Sequence, residues 1–286
     1  NIDSDGFTIG TNVKVNSSTD TYYYFAFGGV PTATTSGTFR MAQGTYTGNG
    51  TTQAITGVAF PPDLVIIKNN ASQIAVFRTK LMRGNSTAYF TGSTANLVDA
   101  ITQITEDGFT LGGDLRVNTS SNTYHWQAFG NAYDPLDNSG ASDFAIGAIY
   151  GNGLDDRNIT NLPFQPDLVV VKSISTGVAN MRTSEHTGDI SSHFQATADT
   201  ANIIQLLNQD GFQIGNNSSV NSSAIVYFWF AFKSGDNFRV GSYTGNTPST
   251  QTIEIDPSEF QSNLIWTVPS NAVGGVLKPS TLTDPA

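Results

Sequence analysis

The sequence predicts an all-β protein built from tandem antiparallel β-sandwich repeats, jelly-roll or lectin-like, of about 95–104 residues each. Three observations carry that expectation. The chain repeats itself, its apolar runs have the length and period of strands, and turn-forming residues separate them about every 8–12 residues. Only 13% of residues are charged, well below the usual quarter, while hydrophobic residues reach 38% and include 18 Phe. That apolar content is too high for disorder, so Thr, Ser and Asn must supply the polar skin.

The repeat is read directly from the residues. Gly48-Asn49, Gly151-Asn152 and Gly245-Asn246 mark one recurring point. Next come "FPPDLVIIK" from Phe60, "FQPDLVVVK" from Phe164 and a weaker "FQSNLIWTV" from Phe260. Arg78 in "VFRT" meets Arg182 in "NMRT", and Phe90 meets Phe194. Asp107-Gly108-Phe109 and Asp210-Gly211-Phe212 match Asp5-Gly6-Phe7, and each unit closes on an aromatic run such as "TYHWQAF". The chain therefore holds a closing half-repeat at 1–30, complete repeats at 38–131 and 142–233, and an opening half-repeat with a tail at 239–286. Gly/Pro/Ser/Thr-rich linkers separate them.

Each element follows from local chemistry. The runs at 64–67 and 168–171 are short and β-branched, as in strands covered on both faces or lying in a sandwich core. "ITEDGFTLG" and "LNQDGFQIG" place Asp-Gly between apolar runs, a hairpin signal. In the closing run, Tyr124, Trp126 and Ala128 share one face, while His125, Gln127 and Phe129 share the other. The stretch "ADTANIIQLLNQDG" fits a strand or a short helix equally well. Asn16, Asn118 and Asn221 each follow a Val at the same place in three repeats, begin Asn-x-Ser/Thr triplets, and are expected at exposed hairpin tips open to glycosylation.

The pattern from Tyr-Thr-Gly-Asn-Gly-Thr through Pro-Asp-Leu-Val-x-x-Lys and Asp-Gly-Phe-x-Leu-Gly to a closing Thr-Tyr-x-x-x-Ala-Phe resembles a domain of phage tail-fibre proteins and large secreted bacterial surface proteins. The likeness covers 38–131 well, 142–233 nearly as well, and the termini only by halves. It implies non-catalytic β-sandwich modules arranged in series. The phage members close on a Trp-Cys-Trp-Lys-type strand, which this cysteine-free chain lacks, and that departure favours a cellular surface protein.

Composition narrows the function. A formal net charge of −10, with no basic face, argues against nucleic acid. No run approaches the ~20 apolar residues of a membrane span. With no Cys, disulfides and thiolate metal sites are excluded. Few lysines and many hydroxyl and amide side chains point to an extracellular location, on a cell or virion surface. Asn1 reads as a processed or truncated end.

No catalytic, cofactor or metal residues are predicted. Asp63 with Lys68, and Asp167 with Lys172, bracket a strand whose third copy carries Asn263 and Val268 instead, so strand-end charges are expected. Arg78 and Arg182 are expected to tie loops to a carboxylate or carbonyl. His186 and His193 have no histidine counterparts in the other full repeat, and His125 stands apart. The segments 134–140 and 151–158 cluster oxygens that calcium could use, yet Asp, Asn and Gly are also ordinary turn residues. Aromatics on the closing strands could stack on sugars.

Two functions follow. One is a homopolymeric subunit of a surface fibre, filament or sheath, joined head to tail by its complementary terminal half-repeats. The assembly segments would then contain Asp5, Gly6, Phe7, Tyr22, Tyr24 and Phe27 at one end and Tyr243, Phe260, Leu264 and Trp266 at the other. The other is a tail-fibre or cell-surface adhesin module that binds glycans. A fragment of a longer repeat array is the third account. Whether the halves pair within one chain or between chains is left open by the sequence.

Overall fold

The Pro-Asp-Leu-Val runs and the aromatic closing runs become hydrogen-bonded neighbours. A computed structural model describes residues 1–28, 38–70, 72–92, 95–134, 138–255 and 260–282. In chain order the first elements are β1 (Gly6–Ile9), the one-turn helix α1 (Val13–Asn16) and β2 (Thr21–Gly28). The first full repeat supplies β3 (Arg40–Thr47), β4 (Gln53–Thr56), β5 (Leu64–Asn69), β6 (Val76–Thr79), β7 (Ala88–Tyr89), β8 (Ile101–Thr105), β9 (Gly108–Leu111), α2 (Leu115–Asn118) and β10 (Thr123–Gly130). The second supplies β11 (Phe144–Tyr150), β12 (Arg157–Ile159), β13 (Leu168–Ser173), β14 (Asn180–Thr183), β15 (Ser192–His193), β16 (Ile204–Asn208), β17 (Gly211–Ile214), α3 (Ser218–Asn221) and β18 (Val226–Phe232). The last are β19 (Phe238–Thr244), β20 (Gln251–Glu254), β21 (Ser262–Pro269) and β22 (Val276–Pro279).

The protein is all-β, with antiparallel sheets layered as sandwiches. The first full repeat forms an inner sheet β3-β10-β5-β6-β7 and an outer sheet β4-β9-β8. The second repeats this as β11-β18-β13-β14-β15 and β12-β17-β16. The terminal half-repeats combine with each other as β19-β2-β21-β22 and β1-β20. Tyr24 of β2 lies between Gly241 and Thr267, and Phe7 of β1 lies opposite Ile253. The halves thus build a third unit within one chain.

The tail, which the sequence did not equip with the middle section of a repeat, supplies part of it. Strand β22 pairs with β21 as β6 pairs with β5, and Lys278 stands opposite Ile265 where Arg78 stands opposite Val65. The ambiguous stretch around 204 is a strand, paired with β17 and bulged between Ile204 and Leu206. The expected tips after Val15, Val117 and Val220 are instead the ends of one-turn helices. Each begins at an N-cap side chain (Asn12, Asp114 or Asn217) that accepts an amide two residues on. The linker expected before residue 38 lies mostly outside the described residues.

Strand alternation sorts side chains into four cores. On β5, Val65 and Ile67 face the core of their own sandwich, while Leu64 and Ile66 face a core shared by all three units. Val169 and Val171 separate from Leu168 and Val170 in the same way. In the shared core Phe27, Phe129 and Phe232 meet, one from each closing strand, with ring centroids 4.5, 4.8 and 5.2 Å apart. The central strands β5 and β13 are therefore buried on both faces, one of the two settings that the short β-branched runs allowed.

The Asp-Gly-Phe glycine is fixed by close approach. A Cβ on Gly6, Gly108 or Gly211 would sit 2.0, 2.0 or 1.9 Å from the carbonyl oxygen of Ile253, Ile55 or Ile159 on the neighbouring strand.

Truncating Phe27 should remove contacts with both other units at once. Phe27→Ala is expected to cost about 3–5 kcal/mol in chemical denaturation. The loss should appear in one cooperative transition instead of the melting of one unit.

Candidate functional site

The recurring polar residues bond the fold's own backbone. Asn118 is fully buried at the end of α2. Its Nδ2 donates to the Gly112 carbonyl at 2.8 Å and to that of Thr51, and its Oδ1 accepts the Asn49 amide at 2.8 Å. Asn221 repeats this with Gly215 at 3.0 Å, Leu154 at 2.8 Å and the Asn152 amide at 2.9 Å. Asn16 does so with Gly10 at 2.9 Å, Ser249 at 2.7 Å and the Asn246 amide at 2.7 Å. The expected exposed tips are thus corrected. In the folded chain the amide nitrogen a glycan would need is buried and donates to two carbonyls in all three copies.

A tyrosine locks each helix beside that asparagine. The Tyr124 hydroxyl donates to the Leu115 carbonyl at 2.9 Å and accepts the Thr119 amide at 2.8 Å. Tyr22 and Tyr227 make the equivalent pairs with Val13 and Ser17, and with Ser218 and Ser222. Tyr46 stacks on Tyr124 with centroids 5.1 Å apart, as Tyr243 does on Tyr22 at 5.1 Å. Burial raises the Tyr46 and Tyr243 hydroxyl pKa values far above their usual range.

The charged pairs do not meet. Asp63 bonds Lys80 at 2.6 Å and accepts the Ala132 amide at 2.6 Å, while Lys68 donates to the Asn69 carbonyl at 2.6 Å. Asp167 accepts the Ser234 amide at 2.7 Å. Lys172 is fully buried on carbonyls, 2.6 Å from that of Ser173, and burial pulls its pKa down to about 8. Arg78 and Arg182 act as the sequence suggested. Arg78 donates to the carbonyls of Met82 at 2.8 Å, Gly84 at 2.6 Å, Ile101 at 3.2 Å and Ser86. Arg182 repeats this with His186, Gly188, Ile204 and Ile190. Both pin the loop after their strand.

One cluster has the atoms of a nucleophilic site. His186 Nε2 lies 2.8 Å from Ser192 Oγ, and Ser192 donates to Asp199 Oδ1 at 2.6 Å. The Thr183 amide donates to His186 Nδ1 at 3.1 Å, so Nε2 carries the proton and points it at the serine. A nucleophilic serine needs a basic nitrogen to take its proton, and here that proton already goes to the carboxylate. Burial, then the nearby Arg182 charge, push His186 down to about 3, which keeps the ring neutral; burial lifts Asp199 to about 6. Tyr23 of the third unit stacks on the imidazole at 3.6 Å. The cluster binds unit two to unit three.

The closing-strand aromatics are enclosed apart from Trp126, which is half-buried. Tyr124 and His125 are buried, and His125 Nδ1 lies 2.6 Å from Thr281 Oγ1. The assembly residues are brought together, but within the chain. Phe7, Tyr22, Tyr24, Phe27, Tyr243, Phe260, Leu264 and Trp266 are all buried in the third unit and the shared core, Gly6 pairs with Glu254, and the Asp5 carbonyl accepts the Ile255 amide at 2.9 Å.

Among the oxygen-rich loops, Asp155 accepts the Gln205 amide at 3.1 Å, and part of segment 134–140 lies outside the described residues. Among the described residues no three His, Asp or Glu side chains converge where they could hold a metal ion. No described helix is long and apolar enough to cross a membrane.

The remaining candidate is a cavity of about 380 Å³ where unit one meets unit two. Trp229, Tyr133, Ile149, Leu162, Asn161 and Leu81 line it. Trp229 lies flat over Gly147, where a Cβ would come within 2.1 Å of the ring. Its indole Nε1 is buried without a hydrogen-bond partner among the described residues. An aromatic wall with a nearby amide suits a ring with one apolar face and a polar edge. Repeat comparison could not find this site, because Leu81 belongs to a turn of the other unit.

Residues 35–142 match a family described as a domain of unknown function (DUF7483). The match spans the first full repeat and well under half of the chain. Comparison with curated proteins finds no match.

Asn118→Ala would leave the Asn49 amide and two carbonyls without their partner. A loss of at least about 1–3 kcal/mol is expected in urea unfolding. Asn85→Ala, at an exposed position, should change stability by less than about 0.5 kcal/mol.

Proposed function

We propose that this chain is a non-catalytic structural block of an extracellular fibre, filament or sheath. The observation that supports this is the engagement of its recurring polar residues. Asp63, Arg78, Asn118 and Tyr124, with their counterparts, bond the fold's own backbone and converge on no cleft. Low charge, repetition and the sequence resemblance to serial surface modules fit the same role.

The joint between subunits differs from the expected exchange of terminal half-repeats. Both edges of β2 are occupied by β19 and β21 of the same chain. Exchange would have to open the third unit and expose Phe25 and Phe27. Subunits of the proposed fibre therefore join through the outside of closed blocks.

A second reading, an adhesin module binding glycans, is favoured by one feature, the Trp229 cavity. Negative-stain microscopy over a concentration series separates the two. Filaments or ordered arrays are the expected result. Monomers at every concentration, together with glycan-array binding abolished by Leu162→Trp, which fills the cavity, would overturn the structural reading in favour of the adhesin.

A further inference from the structure

The three inner sheets bring the same cross-strand positions to the joints between units, but one joint is furnished differently. In unit two those positions hold Phe228 and Phe230 on β18, opposite Lys172 and Val170 on β13. In the third unit they hold Tyr23 and Phe25 on β2, opposite Val268 and Trp266 on β21. In unit one they hold His125 and Gln127 on β10, opposite Lys68 and Ile66 on β5. Strand alternation turns all of these toward the shared core. Two aromatics in each of the other units are thus replaced by two polar side chains here.

The replacement changes how the joint packs. Where unit one meets unit two, Phe77 contacts Phe230 with ring centroids 5.5 Å apart. Where the third unit meets unit one, Leu277 stands at the register of Phe77, and Gln127 at that of Phe230. Between them lies a cavity of about 10 Å³, room for one body about the size of a water molecule. Lys68, His125 and Gln127 line its unit-one side, and Leu264, Leu277 and Pro279 its third-unit side. No Asp or Glu lines it.

The polar groups around this cavity are donors. His125 and Gln127 are only 6% and 3% exposed. His125 Nε2 and Gln127 Nε2 are buried without a hydrogen-bond partner among the described residues. His125 Nδ1 lies 2.6 Å from the Thr281 hydroxyl. With that hydroxyl donating, the ring proton sits on Nε2. The Lys68 ammonium stands beside them, and burial lowers its pKa, the mark of a cation short of water.

We propose that this cavity binds a small monovalent anion, no larger than a halide, which ties the third unit to unit one. The anion accepts from His125 Nε2 and Gln127 Nε2 and lies in the field of the Lys68 ammonium. A water molecule would fill the space and meet both nitrogens, but the adjoining positive charge and the absence of a lining carboxylate favour an anion. The apolar third-unit wall excludes larger, more hydrated ions. The inference stands apart from the fibre reading, since it concerns a joint inside one chain.

The probe is sodium bromide, added to the intact chain. Crystals grown in it should show anomalous density within hydrogen-bond reach of His125 Nε2 and Gln127 Nε2. In solution, NMR signals of the Gln127 side-chain amide and the His125 ring nitrogens should shift saturably with bromide. Gluconate, too large to enter, should leave them in place at equal ionic strength. Gln127→Leu should weaken the bromide response at least about tenfold. The His125→Phe, Gln127→Phe variant gives this joint the aromatics of unit two. Its unfolding midpoint should lose the dependence on bromide that the unaltered chain shows. Density at the site without an anomalous signal marks a water molecule and would overturn the proposal. So would shifts that do not saturate, a Gln127 amide turned onto Gln43 with no bromide beside it, or equal gains in midpoint from bromide and gluconate.

Discussion

The pairing of β2 with β19 on one side and β21 on the other holds the rest of the structure in place. It joins the two ends of the chain into one sheet and delivers Phe25 and Phe27 to the shared core. Without it, the inner faces of the two complete units would confront water with Phe129, Phe144, Phe230 and Phe232. Burying a Phe side chain contributes about 1.5–3 kcal/mol, so the closed arrangement rests on aromatic contact between units more than on any single sandwich. The three units are thus parts of one folding entity, although the sequence reads as modules in series.

Double burial of the central inner strands also explains the composition. A strand covered on both faces admits few ions, and the charged and polar groups that do enter it need partners. Asparagine and tyrosine meet that need at three equivalent places by bonding backbone amides and carbonyls of neighbouring loops. Arginine meets it twice by donating to a ring of carbonyls. In the third unit Lys278 stands at that register and donates to the Leu282 carbonyl at 3.3 Å.

Much of the fold was legible in the sequence because it is local. Strand period, the Asp-Gly turns and the repeat itself lie within short windows, and alternation along "TYHWQAF" assigned its faces correctly. What stayed hidden depends on partners far along the chain. Asn118 resembles a surface tip until its bond to the Asn49 amide is known, and Asn16 depends on Ser249. The closure in cis could not be separated from closure in trans, since both satisfy the same edges. The Trp229 cavity and the His186–Tyr23 stack arise between units, where no repeat pattern records them. The candidate site was therefore the least legible part.

Closure within one chain is the central claim, and a cross-link across β1 and β20 tests it most directly. Thr8 and Thr252 are register partners with hydroxyls 3.2 Å apart, and the chain has no Cys to interfere. The Thr8→Cys, Thr252→Cys variant should oxidise to a monomeric species on non-reducing gels at every protein concentration. Disulfide-linked dimers and ladders that increase with concentration would contradict it, and would place the partner half-repeat in another chain.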